Sequence, residues 1–258
     1  MKILFNKYEG TGNDFIVIDN RKGMISHDDS RLIAFLCDRR FGIGADGLIL
    51  AEEHEGYDFE MVFFNNDGLP ATMCGNGARC ISDFVMKTFA GKRELTFLAA
   101  DGPHKALPAG DLMMVTINEV KGIKSTPYGI FLNTGVPHLV CFTEETDKQD
   151  INAVARPLRY NPVFGDEGTN VNLVEVVPDG LKVRTYERGV EGETLSCGTG
   201  VTASAIASVA TGRIKKPDVN ISVKGGNLNV KFELTADGAK DIRLTGPATF
   251  VFSGEIEI

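Results

Sequence analysis

The 258-residue chain contains no tryptophan, only four histidines and five cysteines. Five cysteines, an odd and small number for this length, exclude a secreted disulfide framework. No Cys-x-x-C pair exists to act as a redox dithiol, and the only close pair, Cys74 and Cys80, is poorly spaced for zinc. No apolar run reaches 18 residues, so no membrane-spanning helix is expected. The first seven residues, Met1 to Lys7, turn polar too early for a signal-peptide core. Basic residues are in the minority, with 27 Lys and Arg against 35 Asp and Glu for a net charge of −8. That balance speaks against nucleic acid or an anionic membrane as the main partner. These absences leave a soluble cytoplasmic protein of one large or two modest domains.

Glycine is in excess, at about 11% of the chain against a usual ~7%. The glycines are clustered, at Gly10–Gly12, Gly42–Gly47, Gly75–Gly77 and Gly198–Gly200. Such loops let backbone amides approach a ligand, although for any single cluster tight turns between short strands are the better reading. The second cluster spells Gly-x-Gly-x-x-Gly, the dinucleotide fingerprint, which must follow a strand and open a helix. Here the preceding stretch, Ser30 to Arg40, has helical spacing and the following one, Leu48 to Ala51, reads as a strand. The order is reversed, and the dinucleotide reading is rejected.

Short runs rich in Val, Ile and Phe dominate the pattern, from Phe15–Asp19 through Leu48–Ala51, Phe59–Phe64, Leu95–Ala99 and Leu112–Ile117. Others fall at 130–132, 138–142, 171–177, 181–186, 219–223, 228–234, 242–244 and 249–252. Besides 30–40, two helices are expected, at about 76–90 and 199–211. The latter carries no charge and is apolar or small all round, the mark of a buried helix wrapped by strands.

Both of these helices open on the same motif. Met73-Cys74-Gly75-Asn76-Gly77-Ala78 and Ser196-Cys197-Gly198-Thr199-Gly200-Val201 lie 123 positions apart, close to half the chain. The spacing suggests two copies of one architectural unit. A thiol at a helix N-terminus feels the positive end of the macrodipole, which favours thiolate, and the adjoining amides suit a carboxylate. If the two halves face each other, the cysteines form a pair of opposed acid/base groups. One thiolate would remove an α-proton and the other thiol would return one from the opposite face. The remaining cysteines, Cys37, Cys80 and Cys141, are read as small buried hydrophobes. Taken singly, His138 would be structural, Glu187 solvated, Arg188 a surface ion pair, and Asn13, Asn65 and Asn170 turn formers.

Taken together these residues resemble one family, the diaminopimelate epimerases. The resemblance rests on Gly10 to Phe15, Phe41 to Gly47, Phe64 to Gly68, Met73 to Cys80, Gly168 to Asn172, and Tyr186 to Gly189 with Glu193 to Gly200, in order along the chain. It implies an α/β fold of two pseudo-symmetric, strand-rich, barrel-like halves, each around a central buried helix, with the active site in the cleft between them. Residues 1–119, completed by a C-terminal strand at 248–258, would form one half and residues 120–247 the other. It also implies interconversion of LL- and meso-2,6-diaminopimelate, in lysine and peptidoglycan precursor synthesis, with no cofactor and no metal.

By the same resemblance Cys74 and Cys197 are the acid/base pair, and His138 and Glu187 flank and tune them. Asn13, Asn65, Asn170 and Arg188 are implied substrate contacts, with Gly75, Asn76, Gly198 and Thr199 at the α-carboxylate and Arg188 suited to the distal one. The implied partners are a small diamino-dicarboxylate substrate and a second copy of the chain, as a homodimer. A proline-type racemase shares the two-cysteine arrangement, but Arg188 and Tyr-Glu-Arg-Gly favour a substrate with a distal polar group. A binding protein on this scaffold would need neither thiol. Three positions depart from the family pattern: Gly47 where many members have Gln, Val136 where many have Asn, and a loop Gly189–Glu193 one residue longer.

Overall fold

The computed structural model describes residues 2–258. They separate into two compact units, residues 2–115 with 246–258, and residues 116–245.

The first unit opens with the hairpin β1 (Lys2–Gly10) and β2 (Asn13–Asp19), followed by helix α1 (Ser30–Cys37). Strand β3 (Gly47–Glu52) then lies parallel to β2, and β4 (Phe59–Asn65) runs antiparallel to β3. Helix α2 (Gly75–Val85) leads to β5 (Leu95–Ala99), parallel to β4, and to the antiparallel β6 (Gly102–Ala109) and β7 (Leu112–Ile117).

The second unit starts with the short β8 (Val120–Lys121) and β9 (Lys124–Thr126) and then repeats the same order. The hairpin is β10 (Gly129–Asn133) with β11 (Pro137–Phe142), followed by helix α3 (Ile151–Arg159), β12 (Asn170–Val177) parallel to β11, and β13 (Gly180–Glu187) antiparallel to β12. After the small β14 (Gly192–Thr194), helix α4 (Gly198–Ala210) leads to β15 (Asp218–Val223), parallel to β13, and to the antiparallel β16 (Gly226–Leu234) and β17 (Gly238–Gly246). The last strand, β18 (Thr249–Glu257), pairs antiparallel with β1 as β9 does with β10. The fold is therefore mixed α/β and strand-rich, with two halves of the same internal order.

The strand alternation decides which helix each side chain meets. In the first unit Ile16, Ile18, Leu48 and Leu50 pack with Ile33 and Leu36 of α1. Phe15 and Ile49 point the other way, toward Gly77 in the first turn of α2. In the second unit Val171 and Leu173 pack with Ile151 and Ala155 of α3, while Asn172 and Thr185 lie against Gly200 in α4. Both β2 and β3 are covered on both faces, which is why Phe15 to Ile18 and Leu48 to Ala51 are continuous apolar runs.

Helix α4 is buried from Gly200 to Ser208 despite its hydroxyls. Thr202 and Ser204 donate back to the carbonyls of Gly198 and Gly200 at 2.8 and 2.7 Å, and Ser208 to Ala205 at 2.8 Å. These bonds remove the desolvation cost of burying hydroxyls. Among the described residues no helix is long and apolar enough to cross a membrane.

The structure corrects four sequence expectations. Helix α1 ends at Cys37 rather than Arg40, because the Asp38 carboxylate accepts the backbone N–H groups of Arg40 and Phe41 at 2.7 and 2.8 Å. The segment 76–90 is helical throughout, but α2 stops at Val85 and Met86–Ala90 form a π-helical turn closed by Gly91 at φ 60°. Helix α3 was not expected: Pro157 lies inside it, and Asp150 caps it through the N–H groups of Asn152 and Ala153. It is the counterpart of α1. Finally, Cys37 and Cys80 are buried as expected, whereas Cys141 is only half-buried.

Candidate active site

Each cysteine of the repeated motif is the N-cap of its unit's buried helix, with extended backbone at Cys74 (φ −111°, ψ 119°) and Cys197 (φ −129°, ψ 107°). The first intrahelical bonds run from Ala78 N–H to Cys74 C=O at 2.7 Å and from Val201 N–H to Cys197 C=O at 2.9 Å. Each helix thus begins on its cysteine, and the Gly-x-Gly amides of the first turn sit at the positive end of the helix dipole. That is the local chemistry of an anion site beside a thiol.

In the first unit the thiol of Cys74 donates to Asn13 Oδ1 at 3.8 Å, and Asn76 Nδ2 donates to the same oxygen at 3.3 Å. The Asn13 amide is oriented by Asp46, whose Oδ2 accepts from Nδ2 at 2.8 Å. Behind it, Asp14 is held by Arg39 at 2.6 Å and Lys7 at 2.7 Å. Burial would raise the Asp14 carboxyl, but the hydrogen bonds and charges of Arg39 and Lys7 outweigh it and hold it well below the usual carboxylate range. Asn65, at the exposed end of β4, pairs across the ladder with Gly47.

The second unit builds its thiol site differently. Cys197 is buried, and its sulfur lies 3.5 Å from Thr199 Oγ1. Thr199 Oγ1 in turn lies 2.9 Å from His138 Nε2. Asn172 fixes the imidazole from behind: its Nδ2 donates to His138 Nδ1 and to the Leu139 carbonyl, both at 3.1 Å, and its Oδ1 accepts from Thr185 at 2.9 Å. With Nδ1 accepting, Nε2 carries the proton and donates to Thr199, leaving the Thr199 hydroxyl hydrogen for the Cys197 sulfur. Burial, reinforced by the charge of Arg188, lowers the His138 pKa to about 3, so the ring is neutral at physiological pH. A neutral ring in this place can orient the Thr199 hydroxyl but supplies no charge.

Gly200 is required by this packing. A Cβ there would come within 2.4 Å of Asn172 Oδ1 and 3.1 Å of Thr185 Oγ1.

Arg188 follows directly on β13. Its backbone N–H donates to Asn170 Oδ1 at 2.7 Å, while Asn170 Nδ2 donates to the Pro137 carbonyl at 3.2 Å. Asn170 is therefore a bridge between two loops and no mere turn former. The Arg188 guanidinium meets Glu167 at 2.6 Å, a carboxylate that is almost fully exposed. Both line a cavity of about 540 Å³ together with Val136, Pro137 and Phe164. The Glu187 carboxylate accepts the hydroxyl of Thr194.

Two of the three departures from the family pattern have a place in this geometry. Val136 lines the cavity beside Arg188. Gly47 cannot carry a side chain here, since a Cβ would lie 2.6 Å from both the Phe63 ring and the Phe64 carbonyl. Asn172, Thr185 and Asp46, which carry no role in the sequence reading, hold the side chains around the two thiols. Asn172 closes the Gly168–Asn172 motif, and strict alternation from Val171 and Leu173 points it at the opposite face, toward α4. Among the described residues no group of three His, Cys, Asp or Glu is placed to hold a metal ion.

The fold is that of a known set of solved structures. It superposes on a phenazine biosynthesis protein of the PhzF family from Bacillus anthracis with a TM-score of 0.78 at 12% identity, covering 100% of both chains. It also superposes on a hydroxyproline epimerase from Agrobacterium vitis, with bound trans-4-hydroxy-L-proline, with a TM-score of 0.70 at 13% identity, covering 99% of this chain and 92% of that one. Sequence narrows the class further. Residues 5–111 and 130–251 match the diaminopimelate epimerase family. The diaminopimelate epimerase of Flavobacterium psychrophilum is 46% identical over 252 residues, covering 97% of this chain and 98% of the relative. The chain belongs to the diaminopimelate epimerase family.

Proposed function

We propose that this chain is an isomerase that interconverts LL- and meso-2,6-diaminopimelate by two-thiol proton transfer, with Cys74 and Cys197 as the acid/base pair. The observation that carries the reading is the repetition: both units place a cysteine at the N-cap of a buried helix, followed by Gly-x-Gly. In the forward direction one cysteine, as thiolate, takes the α-proton. The other, as thiol, protonates the opposite face of the resulting carbanion and becomes the thiolate. The reverse direction exchanges the roles, so the reaction needs no net proton and no cofactor. The first-turn amides of Gly75, Asn76, Gly198 and Thr199 receive the α-carboxylate and stabilise the charge that spreads onto it in the transition state.

Arg188 binds the distal carboxylate, which replaces Glu167 on the guanidinium. Asn170 fixes the Arg188 backbone, Asn13 and Asn65 contact the substrate, and Glu187 with the neutral His138 tunes the thiols. The enzyme acts in the cytoplasm, in lysine and peptidoglycan precursor synthesis, as a homodimer. The half-exposed Phe250, Val251 and Phe252 on β18 support that assembly.

The test is incubation of purified protein with LL-diaminopimelate in D2O without added cofactor. Stereoinversion with α-deuterium uptake, absent in both Cys74→Ser and Cys197→Ser, and no action on proline are expected. Wild-type turnover in either serine variant, or racemisation of proline, overturns the reading.

A further inference from the structure

Arg79 is fully buried in α2, five residues after Cys74, and its guanidinium folds back toward the start of the helix. Its Nη2 donates to Asn76 Oδ1 at 2.9 Å and to Thr11 Oγ1 at 3.5 Å, its Nη1 to the Gly75 carbonyl at 3.3 Å, and its Nε to the Pro247 carbonyl at 3.1 Å. All four acceptors are neutral. A buried cation without a carboxylate loses its hydration and regains only dipoles, an arrangement that an apolar side chain would improve if stability were the sole purpose.

We propose that Arg79 is a positioning residue for the acid/base chemistry, holding a buried positive charge with no carboxylate in contact with it behind Cys74, so that the thiolate form is favoured. The inference rests on Cys74 being one of the two acid/base groups. The negative groups whose field reaches Arg79 are, in falling order, Cys80, Cys74 and Glu9. Cys80, on the same helix, is buried, and desolvation pushes its thiol far up, so it stays neutral. Glu9, on β1, spends its carboxylate on the Gly12 N–H at 2.9 Å at the exposed hairpin turn. Asp83 lies further along α2, paired with Lys87 at 2.7 Å, and Asp46 is paired with Arg39 at 2.8 Å. The group left for Arg79 to stabilise is the thiolate of the half-buried Cys74. The same guanidinium donates the shortest of its four hydrogen bonds to Asn76, whose amide donates to the Asn13 oxygen that faces the Cys74 sulfur, so a short hydrogen-bonded chain joins Arg79 to the thiol site. The position corresponding to Arg79 in α4 is Thr202, which is neutral and returns its hydroxyl proton to the Gly198 carbonyl.

The test reads Cys74 and Cys197 separately, as the pH dependence of iodoacetamide alkylation resolved by peptide mass spectrometry. In Arg79→Gln the Cys74 midpoint should rise by about one pH unit, a fall of about tenfold in its alkylation rate at neutral pH, with Cys197 unmoved. Arg79→Lys should recover part of the shift. An unchanged Cys74 midpoint in folded Arg79→Gln, or an equal shift at both cysteines, reduces Arg79 to a structural staple and overturns the proposal. Should Arg79→Gln fail to fold, the wild-type protein decides. Its Cys74 midpoint should lie below the ordinary thiol value of about 8.5 and stay fixed between roughly 0.05 and 0.5 M salt, because a buried charge is poorly screened. A midpoint at or above that value, or one that moves with salt, overturns it. Alkylation does not require turnover, so failure here is distinct from failure of the isomerase reading, which deuterium exchange reports.

Discussion

His138 Nε2 stands 2.9 Å from the hydroxyl of Thr199, the second residue of α4, and that hydroxyl stands 3.5 Å from the sulfur of Cys197. The imidazole therefore reaches the thiol through a side chain of the helix the thiol opens. Because burial keeps the ring neutral, the Nε2–H fixes the direction in which the Thr199 hydrogen points.

Removing that relay should make Cys197 harder to ionise. Thr199→Val is expected to raise the midpoint of Cys197 alkylation by about one pH unit, since a hydrogen bond to a charged group contributes about 1.5–3 kcal/mol and one unit is about 1.4. Thr199→Ser should restore it. A pH profile of alkylation checks both, and a Val variant with the wild-type midpoint would refute the relay.

The neutral His138 also makes stability depend on pH. Its native pKa, lowered to about 3 from an unfolded value of 6.5, means that both states are neutral above pH 6.5 and the full contribution is present there. Between 6.5 and about 3 the unfolded chain binds a proton that the native state does not. Stability is thus lost as pH falls, by up to about 1.4 kcal/mol per pH unit. Urea midpoints measured between neutral and mildly acidic pH should fall less steeply in His138→Gln than in wild type. Parallel slopes would show that His138 is not the group responsible.

Gly200→Ala tests the polar layer beneath α4. The added methyl would meet Asn172 Oδ1 at 2.4 Å, so the amide that anchors His138 must move. A destabilisation of about 1–3 kcal/mol is expected, together with a loss of turnover larger than the fraction unfolded explains. Urea unfolding and steady-state rates on the same sample separate the two effects. Wild-type stability would mean that the site relaxes at no cost.

Much of the fold was legible in the residues. Val171 to Val177 and Leu112 to Ile117 announce strands because β-branched and apolar side chains alternate or run on between turns. Helix α4 was legible because no charge interrupts 194–212. Helix α3 was not, since Pro157 argues locally against a helix. Its burial of Ile151 and Ala155 against β12 and β13, with the Asp150 cap, overrides that local preference. Cys141 was misread for a related reason. An apolar strand sequence does not say how completely each side chain is covered, and Cys141 packs against the Ile151 and Leu173 cluster while staying partly accessible.

By itself, then, the sequence determined the repeat, the two cysteines at helix starts and the family, because motif, period and order are one-dimensional properties. It also held the Arg79 and Asn172 side chains in plain view without disclosing their use. The tertiary structure decided that use. Parallel pairing of β11 with β12 sets His138 opposite Asn170 and so brings Asn172 under the ring, where the first unit has Phe15 paired with Gly47 and Ile49 in the matching place. Two helices with one motif therefore rest on unlike layers, one apolar with a buried cation above it and one a neutral hydrogen-bonded network. Strand register is set by pairing between distant segments, and no local pattern along the chain encodes it.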